Sequence, residues 1–497
     1  MVETQSISTL EPKPVWTCFA GIAAVPRPSK REGKICEHMK KWAVESGLEV
    51  REEACGNLIV TVPASAGREM APVIVLQAHL DMVCEKNAET RHDFDNDPIR
   101  LVVAKDPEKN DARIVRADGT TLGADNGVGV AMAMACATSA EVQHGPLELL
   151  FTIDEEDGMT GAKALTPESF RGRTMLNLDT EEDDSLLIGC AGGCDSILRW
   201  SFELRPVVAG DDVVCVSVSG LRGGHSGSDI IENRGNAVKV LAQTIVHAGV
   251  DVRLASIRAG SKRNAIPREA VAIVSGAAGL FDSLTNAAKI VEEDVRGANG
   301  ESALQITVKT DRAGHAASTA DTARFFSALV AIPNGVLGMS RKVAGLVETS
   351  NNLATATSTD GEDGKTLSAE VANLSRSSSE VLKASTAEQI ASIGRLAGAT
   401  VRCQNEYPGW DPQPDSKVLG VCKAVYERLF GEPPHVEAIH AGLECGIIGR
   451  RVGEMDMVSL GPYILGAHSP DERVYVNSVS KSWRYLVALL DELSKAG

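Results

Sequence analysis

Three short apolar runs stop abruptly at metal-binding side chains, and no other feature of the 497 residues constrains the fold as tightly. Val73 to Ala78 leads into His79-Leu80-Asp81, Leu147 to Ile153 into Asp154-Glu155-Glu156, and Met175 to Leu178 into Asp179. Runs of this length and composition suit strands covered on both faces, and in open α/β sheets ligand-binding groups gather at the carboxyl ends of such strands. The expected fold class is therefore α/β, a central mixed sheet flanked by helices. Three strand ends should point into one crevice.

Leu122-Gly123-Ala124-Asp125-Asn126-Gly127 opens an Ala-, Met- and Val-rich stretch through Ala140 that reads as a buried helix with Asp125 on the loop at its start. A carboxylate can bridge two cations because each oxygen can bind one, and hydrolytic metal pairs sit roughly 3.5 to 4 Å apart. His79, Asp125, Glu156, Asp179 and His468, with Glu155 as a spare carboxylate, thus read as a two-metal hydrolase centre with Asp125 shared. Mixed imidazole and carboxylate ligands favour Zn²⁺, or Mn²⁺ or Co²⁺, over the purely oxygen-seeking Mg²⁺ and Ca²⁺. Singly these residues have bland readings: a lone histidine, a helix cap at Asp179, an acidic turn at Glu155-Glu156-Asp157, a turn at Asp125-Asn126-Gly127. Three apolar strands ending the same way outweigh those readings.

The segments His79-Leu80-Asp81, Gly123 to Gly127, Asp154 to Gly158, Asn177 to Thr180, Gly223-Gly224-His225-Ser226-Gly227 and Ala467 to Glu472 follow one another as ordered motifs over nearly the whole chain. In this they resemble the zinc dipeptidase and aminoacylase clan of metallopeptidases, and within it the aminoacyl-histidine (Xaa-His) dipeptidases. The resemblance implies one metal held by His79 and Asp179, a second by Glu156 and His468, and Asp125 between them. It implies Asp81 orienting the His79 ring, Glu155 as general base for a metal-bridging hydroxide, and a cis peptide after Asp125. His225 becomes the oxyanion donor, Asn264 a neighbour of the substrate carbonyl, and Arg376 the partner of the substrate's C-terminal carboxylate. Gly442 and Glu444, in His440 to Gly446, lie near the substrate, with Glu444 against a free amino group.

His468 must rejoin a site whose other ligands end at Asp179, so the intervening chain leaves the catalytic domain and returns. The expected organisation is a catalytic domain over 1–205 and 397–497 and an inserted α+β lid over 206–396. Val218 to His225 aligns with Val308 to His315, which suggests an internally duplicated lid and leaves homodimerisation through the lid open. The Thr-, Asp- and Gly-rich stretch from Thr355 to Lys365 reads as a hairpin loop.

The net charge of −17 argues against nucleic-acid binding, which needs a basic footprint. No apolar run reaches a membrane span and the start lacks a signal-peptide pattern, which makes the cytoplasm the expected compartment. Eleven cysteines without metal-finger spacing read as reduced thiols. The expected activity is metal-dependent hydrolysis of dipeptides, preferentially Xaa-His, β-alanyl-histidine among them. An acyl-amino-acid deacylase or tripeptidase would keep the same metal residues. A catalytically silent binding protein would have lost Glu155 or a ligand, and this chain retains all of them.

Overall fold

The computed structural model describes residues 7–106, 109 and 112–495. The chain divides into two compact units, 1–189 with 412–438 and 443–497, and 190–411 with 439–442. The sequence puts the breaks later, at 205/206, and earlier, at 396/397. The difference has a simple cause: the strands Gly192–Glu203 and Thr400–Tyr407 pair with each other inside the second unit's sheet, so hydrogen bonding claims chain that composition alone assigns to the first.

The first unit is built on an eight-stranded mixed sheet. At its centre Leu147–Thr152, Ile74–His79, Thr174–Asn177 and Asp456–Ser459 run parallel in that order. Glu49–Glu52 and Leu58–Val62 add antiparallel strands beyond Leu147–Thr152. Every residue of Ile74–His79 and Leu147–Thr152 is buried, as their near-continuous apolar sequences require of strands covered on both faces. Helix Ala124–Thr138 packs on Ile74–His79 and is buried around almost its whole circumference. Its small Ala and Gly residues and unbranched Met fit that position, and a helix apolar on all sides belongs in an interior.

A four-stranded sheet of Leu101–Asp106, Ala112–Ala117, Arg473–Tyr475 and Ile464–Leu465 holds the turn that carries His468. Asp106 anchors it by accepting hydrogen bonds from Arg473 Nε (3.1 Å) and the Tyr475 hydroxyl.

The second unit is α+β. Its nine-stranded sheet runs Gln305–Thr310, Asp212–Ser219, Ala270–Gly276, Arg253–Ala259, Val347–Asp360, Thr366–Ser377, Gly192–Glu203, Thr400–Tyr407, with Gly335–Met339 also on Val347–Asp360. Helices Ala237–His247, Leu280–Asn299, Thr319–Ala331 and Glu380–Leu396 contribute to a single apolar core around Phe325, Leu241, Leu284 and Ile390. The segments aligned as a repeat begin on antiparallel neighbouring strands, with Val218 opposite Ile306. The Thr355 to Lys365 stretch is mostly strand: Asp360 still pairs with Leu367, because its β-branched threonines suit a ladder. Among the described residues no cysteine forms a disulfide, and no helix is long and apolar enough to cross a membrane.

Candidate metal centre and substrate residues

The carboxyl ends of the three parallel strands deliver His79 as a final strand residue, Glu155 and Glu156 three and four residues after Thr152, and Asp179 two after Asn177. Asp125 enters from the start of the central helix, where it and Asn126 depart from helical dihedrals and the Asp125–Asn126 peptide is cis. Gly123 ahead of it has φ 68°, a left-handed conformation natural to glycine, and a Cβ there would meet Arg27 Nη2 at 2.4 Å.

Asp125 turns one oxygen to each histidine. Oδ1 lies 3.0 Å from His79 Nε2 and Oδ2 lies 3.2 Å from His468 Nε2. Asp179 Oδ1 stands 3.4 Å from His79 Nε2, and Glu156 Oε2 stands 2.9 Å from His468 Nε2. Two triads follow, His79–Asp125–Asp179 and His468–Asp125–Glu156, each with ligand atoms within 4.8 Å of one another. A third group, His79–Glu155–Glu156, meets the same limit.

These residues fit a pair of divalent cations. Glu156 Oε1 and Asp179 Oδ1 are buried without a hydrogen-bond partner, and five carboxylates (Asp81, Asp125, Glu155, Glu156, Asp179) face two imidazoles. Buried charge of one sign needs compensation. Hydrogen bonds to Asp125 and Glu156 push His468 up to about 11; burial opposes the charged form of His79, yet Asp179, Asp125 and Asp81 raise it well above its ordinary value. Burial lifts Asp179 to about 6 against the pull of His79. His468 and Asp154 hold φ of 65° and 54°, a left-handed conformation that costs an L-residue on the order of 1 kcal/mol.

Asp81 works behind His79. Its Oδ1 lies 3.3 Å from His79 Nδ1 and accepts Glu155 N at 3.0 Å, while Oδ2 accepts Glu156 N at 3.2 Å and Ser29 Oγ at 2.8 Å. One buried carboxylate thus orients a ring and the backbone of both following glutamates.

Two supports were not foreseen from sequence. Glu472 accepts four consecutive backbone N–H groups, Leu122 and Gly123 on Oε2 (2.7 and 2.9 Å) and Ala124 and Asp125 on Oε1 (2.7 and 3.3 Å). It thereby holds the loop that presents Asp125. Arg27, 2% exposed, donates to the carbonyls of Leu80 (3.0 Å), Asp81 (2.7 Å) and Gly123, joining the loop after His79 to that before Asp125. Glu472 closes the Ala467 to Glu472 motif that contains His468, a signal that marks it; Arg27 sits between two prolines with no local signal. Arg27→Met should cost on the order of 3 kcal/mol or more by leaving three buried carbonyls unpaired, read as a lowered urea midpoint with chelator present; an unchanged midpoint refutes the brace.

The remaining candidates, Glu444 excepted, lie in the second unit. His225 pairs with Ala265, and Gly227 N and Ser228 N donate to its Nδ1 at 3.3 Å, which puts the proton of the neutral ring on Nε2. Asn264 is in an exposed turn, and its carbonyl accepts Ser226 N at 2.8 Å. Arg376, 5% exposed, donates Nη1 to the Tyr407 hydroxyl at 2.8 Å and leaves Nε buried without a partner. Opposite it, Gly193 makes room for the Tyr407 ring, whose nearest atom would lie 2.5 Å from an added Cβ. Gly442 follows Ile439 and Ala441, whose carbonyls both accept Ala191 N. Glu444 is 0% exposed in the first unit, where its Oε2 accepts hydrogen bonds from Gln77 and Thr152. It opens helix Glu444–Val452, and helical periodicity turns it inward.

A mixed sheet whose parallel strand ends bring His79, Asp179 and the Glu155-Glu156 pair to His468 and Asp125 defines a metal-dependent hydrolase. A model of the peptidase family M20/M25/M40 matches residues 75–492, and the chain belongs to this family. It is 40% identical over 494 residues to the cytosol non-specific dipeptidase of Escherichia coli (strain K12), covering 98% of this chain and 99% of that one. It superposes on the aminoacylhistidine dipeptidase of Vibrio alginolyticus with a TM-score of 0.88 at 40% identity, over 98% of both chains. The aminopeptidase PepT of Bacillus cereus shares the fold alone, with a TM-score of 0.56 at 16% identity over 97% of this chain and 99% of that one. The chain is a metallo-dipeptidase, a hydrolase of peptide bonds in small substrates.

Proposed function

We propose that this enzyme cleaves Xaa-His dipeptides, β-alanyl-histidine among them, with a pair of Zn²⁺ ions, or Mn²⁺ or Co²⁺, held by His79, Asp179, Asp125, Glu156 and His468. The observation that supports the pair most is Asp125, which turns its two oxygens to two histidines, each beside a second carboxylate. When bound, such a pair supplies Lewis acidity and a water acidified toward neutral pH.

The protein's own groups do the rest. Asp81 keeps the His79 ring in place and holds the Glu155 backbone. Glu155 takes a proton from the attacking water and delivers it to the leaving amine; burial lifts its carboxyl well above the usual range, with His79 opposing and Asp179, Glu156 and Glu444 reinforcing, the direction such a carrier needs. His225, protonated on Nε2, is assigned to the oxyanion, Asn264 to the carbonyl oxygen and Gly442 to backbone contact with substrate. Arg376 is assigned to the substrate carboxylate, which suits a planar guanidinium. The relatives' names support both a broad and a histidine-directed specificity, and the E. coli name supports the cytoplasm. Homodimerisation through the second unit remains part of the proposal.

The test is release of free histidine from β-alanyl-histidine and Gly-His, with chelation and Zn²⁺ or Mn²⁺ add-back, beside N-acetylated dipeptides. Chelation should abolish cleavage and metal restore it, with the N-acetyl forms uncleaved. Cleavage of the N-acetyl forms alone would replace the reading with a deacylase.

A further inference from the structure

A run of buried polar side chains crosses the central strands beneath the metal centre. Thr180 Oγ1 lies 2.7 Å from Ser459 Oγ, which donates to Asn177 Oδ1. Asn177 Nδ2 donates to Gln77 Oε1 at 2.5 Å, and Gln77 Nε2 donates to Thr152 Oγ1 at 3.1 Å and to Glu444 Oε2 at 2.7 Å. Thr152 Oγ1 donates to the same Glu444 oxygen at 2.6 Å. Gln77, Thr152, Asn177, Ser459 and Glu444 are all 0% exposed.

Three features separate this run from ordinary core polarity. Its neighbours along each strand are apolar, so an apolar side chain would satisfy packing at every position and spare the desolvation of the polar group. Three of its members stand in register on adjacent strands, Gln77 and Ser459 both opposite Asn177, and Thr152 lies opposite His79 on the next strand. From Ser459 onward its donors all point one way and end on Glu444 Oε2, which fixes the sense of both amides. Gln77 and Asn177 precede His79 and Asp179 by two positions, and residues two apart on a strand share a face. Thr152 ends the strand that leads to Glu155 and Glu156.

We propose that Glu444 is a positioning residue for the metal centre, the terminal acceptor of a side-chain ladder that fixes the three strand ends presenting His79, Asp179 and the Glu155-Glu156 pair. This rests on the reading that those residues hold cations. Outer partners of metal ligands set affinity through geometry, and their loss typically weakens binding about 10- to 100-fold.

The experiment measures Zn²⁺ and Mn²⁺ affinity of the full chain by competition with a chromophoric chelator, for the wild type, Glu444→Ala, Glu444→Gln and Thr152→Val. KM and kcat are then taken at saturating metal. Glu444→Ala should bind about 10- to 100-fold more weakly, and Glu444→Gln, whose amide oxygen can accept the same two hydrogen bonds, should recover most of the loss. Thr152→Val, which removes one donor at nearly constant volume, should move affinity the same way by less and guards against misfolding of the alanine variant. Three results each overturn the inference: wild-type affinity in Glu444→Ala and Thr152→Val, a glutamine variant as weak as the alanine one, or a rise in KM for free-amine dipeptides with affinity unchanged. A wild type that binds no cation would overturn the metal centre as well, so the two failures are distinguishable.

Discussion

Glu155→Ala is expected to lower kcat by about 10²- to 10⁴-fold, the usual contribution of a positioned acid–base group, while the purified protein keeps its metal. The argument turns on which carboxylates face which histidine. Asp125, Asp179 and Glu156 approach the ring nitrogens at 2.9 to 3.4 Å, whereas Glu155 makes no ion pair with either ring and is tied to Asp81 through its backbone. Glu155 nonetheless lies in a potential ligand group with His79 and Glu156, so metal content decides its role. Metal analysis and steady-state kinetics on one preparation check this. Loss of metal in proportion to activity would make Glu155 a ligand and leave the proton transfer without a carrier.

Asp125→Ala should have the larger effect on binding, because the single side chain faces both histidines. Metal content should fall toward zero, turnover should vanish, and the variant should melt like the chelated wild type. Ligand-linked stabilisation is about 4 kcal/mol when free metal is about a thousand times its dissociation constant, enough to separate loaded and empty wild type in a thermal scan. His79→Ala, which touches one triad, should retain part of the metal that Asp125→Ala loses. Full stoichiometry in the Asp125 variant would dismiss the shared-ligand arrangement.

Substitutions at three positions probe different layers of the same crevice. Glu155 tests proton movement on an assembled centre, Asp125 the assembly itself, and Glu444 the packing that aims the strand ends.

Much of the first unit could be read locally. A strand buried on both faces needs a near-continuous apolar run, and interrupting it with His79, Asp179 or the Glu155-Glu156 pair is so unfavourable without a partner that the interruption marks the site. The Ala- and Met-rich helix after Asp125 was legible for the same reason, since only an interior helix can be apolar all round. The cis peptide at Asp125 came from resemblance, not from any pattern in the residues.

What the sequence by itself determined, then, was the strand ends that carry His79, Asp179 and the Glu155-Glu156 pair and the buried helix after Asp125, because each depends on burial and periodicity within a few residues. Tertiary structure alone decided the rest. It placed Arg27 and Glu472 as braces of the Asp125 loop, turned Glu444 into the core, set the division at Gly189 and Asp411, and made neighbours of two segments that sequence aligned as a repeat. Each of those outcomes rests on hydrogen bonds between residues tens to hundreds of positions apart, and such partners leave no periodic trace in the chain that carries them.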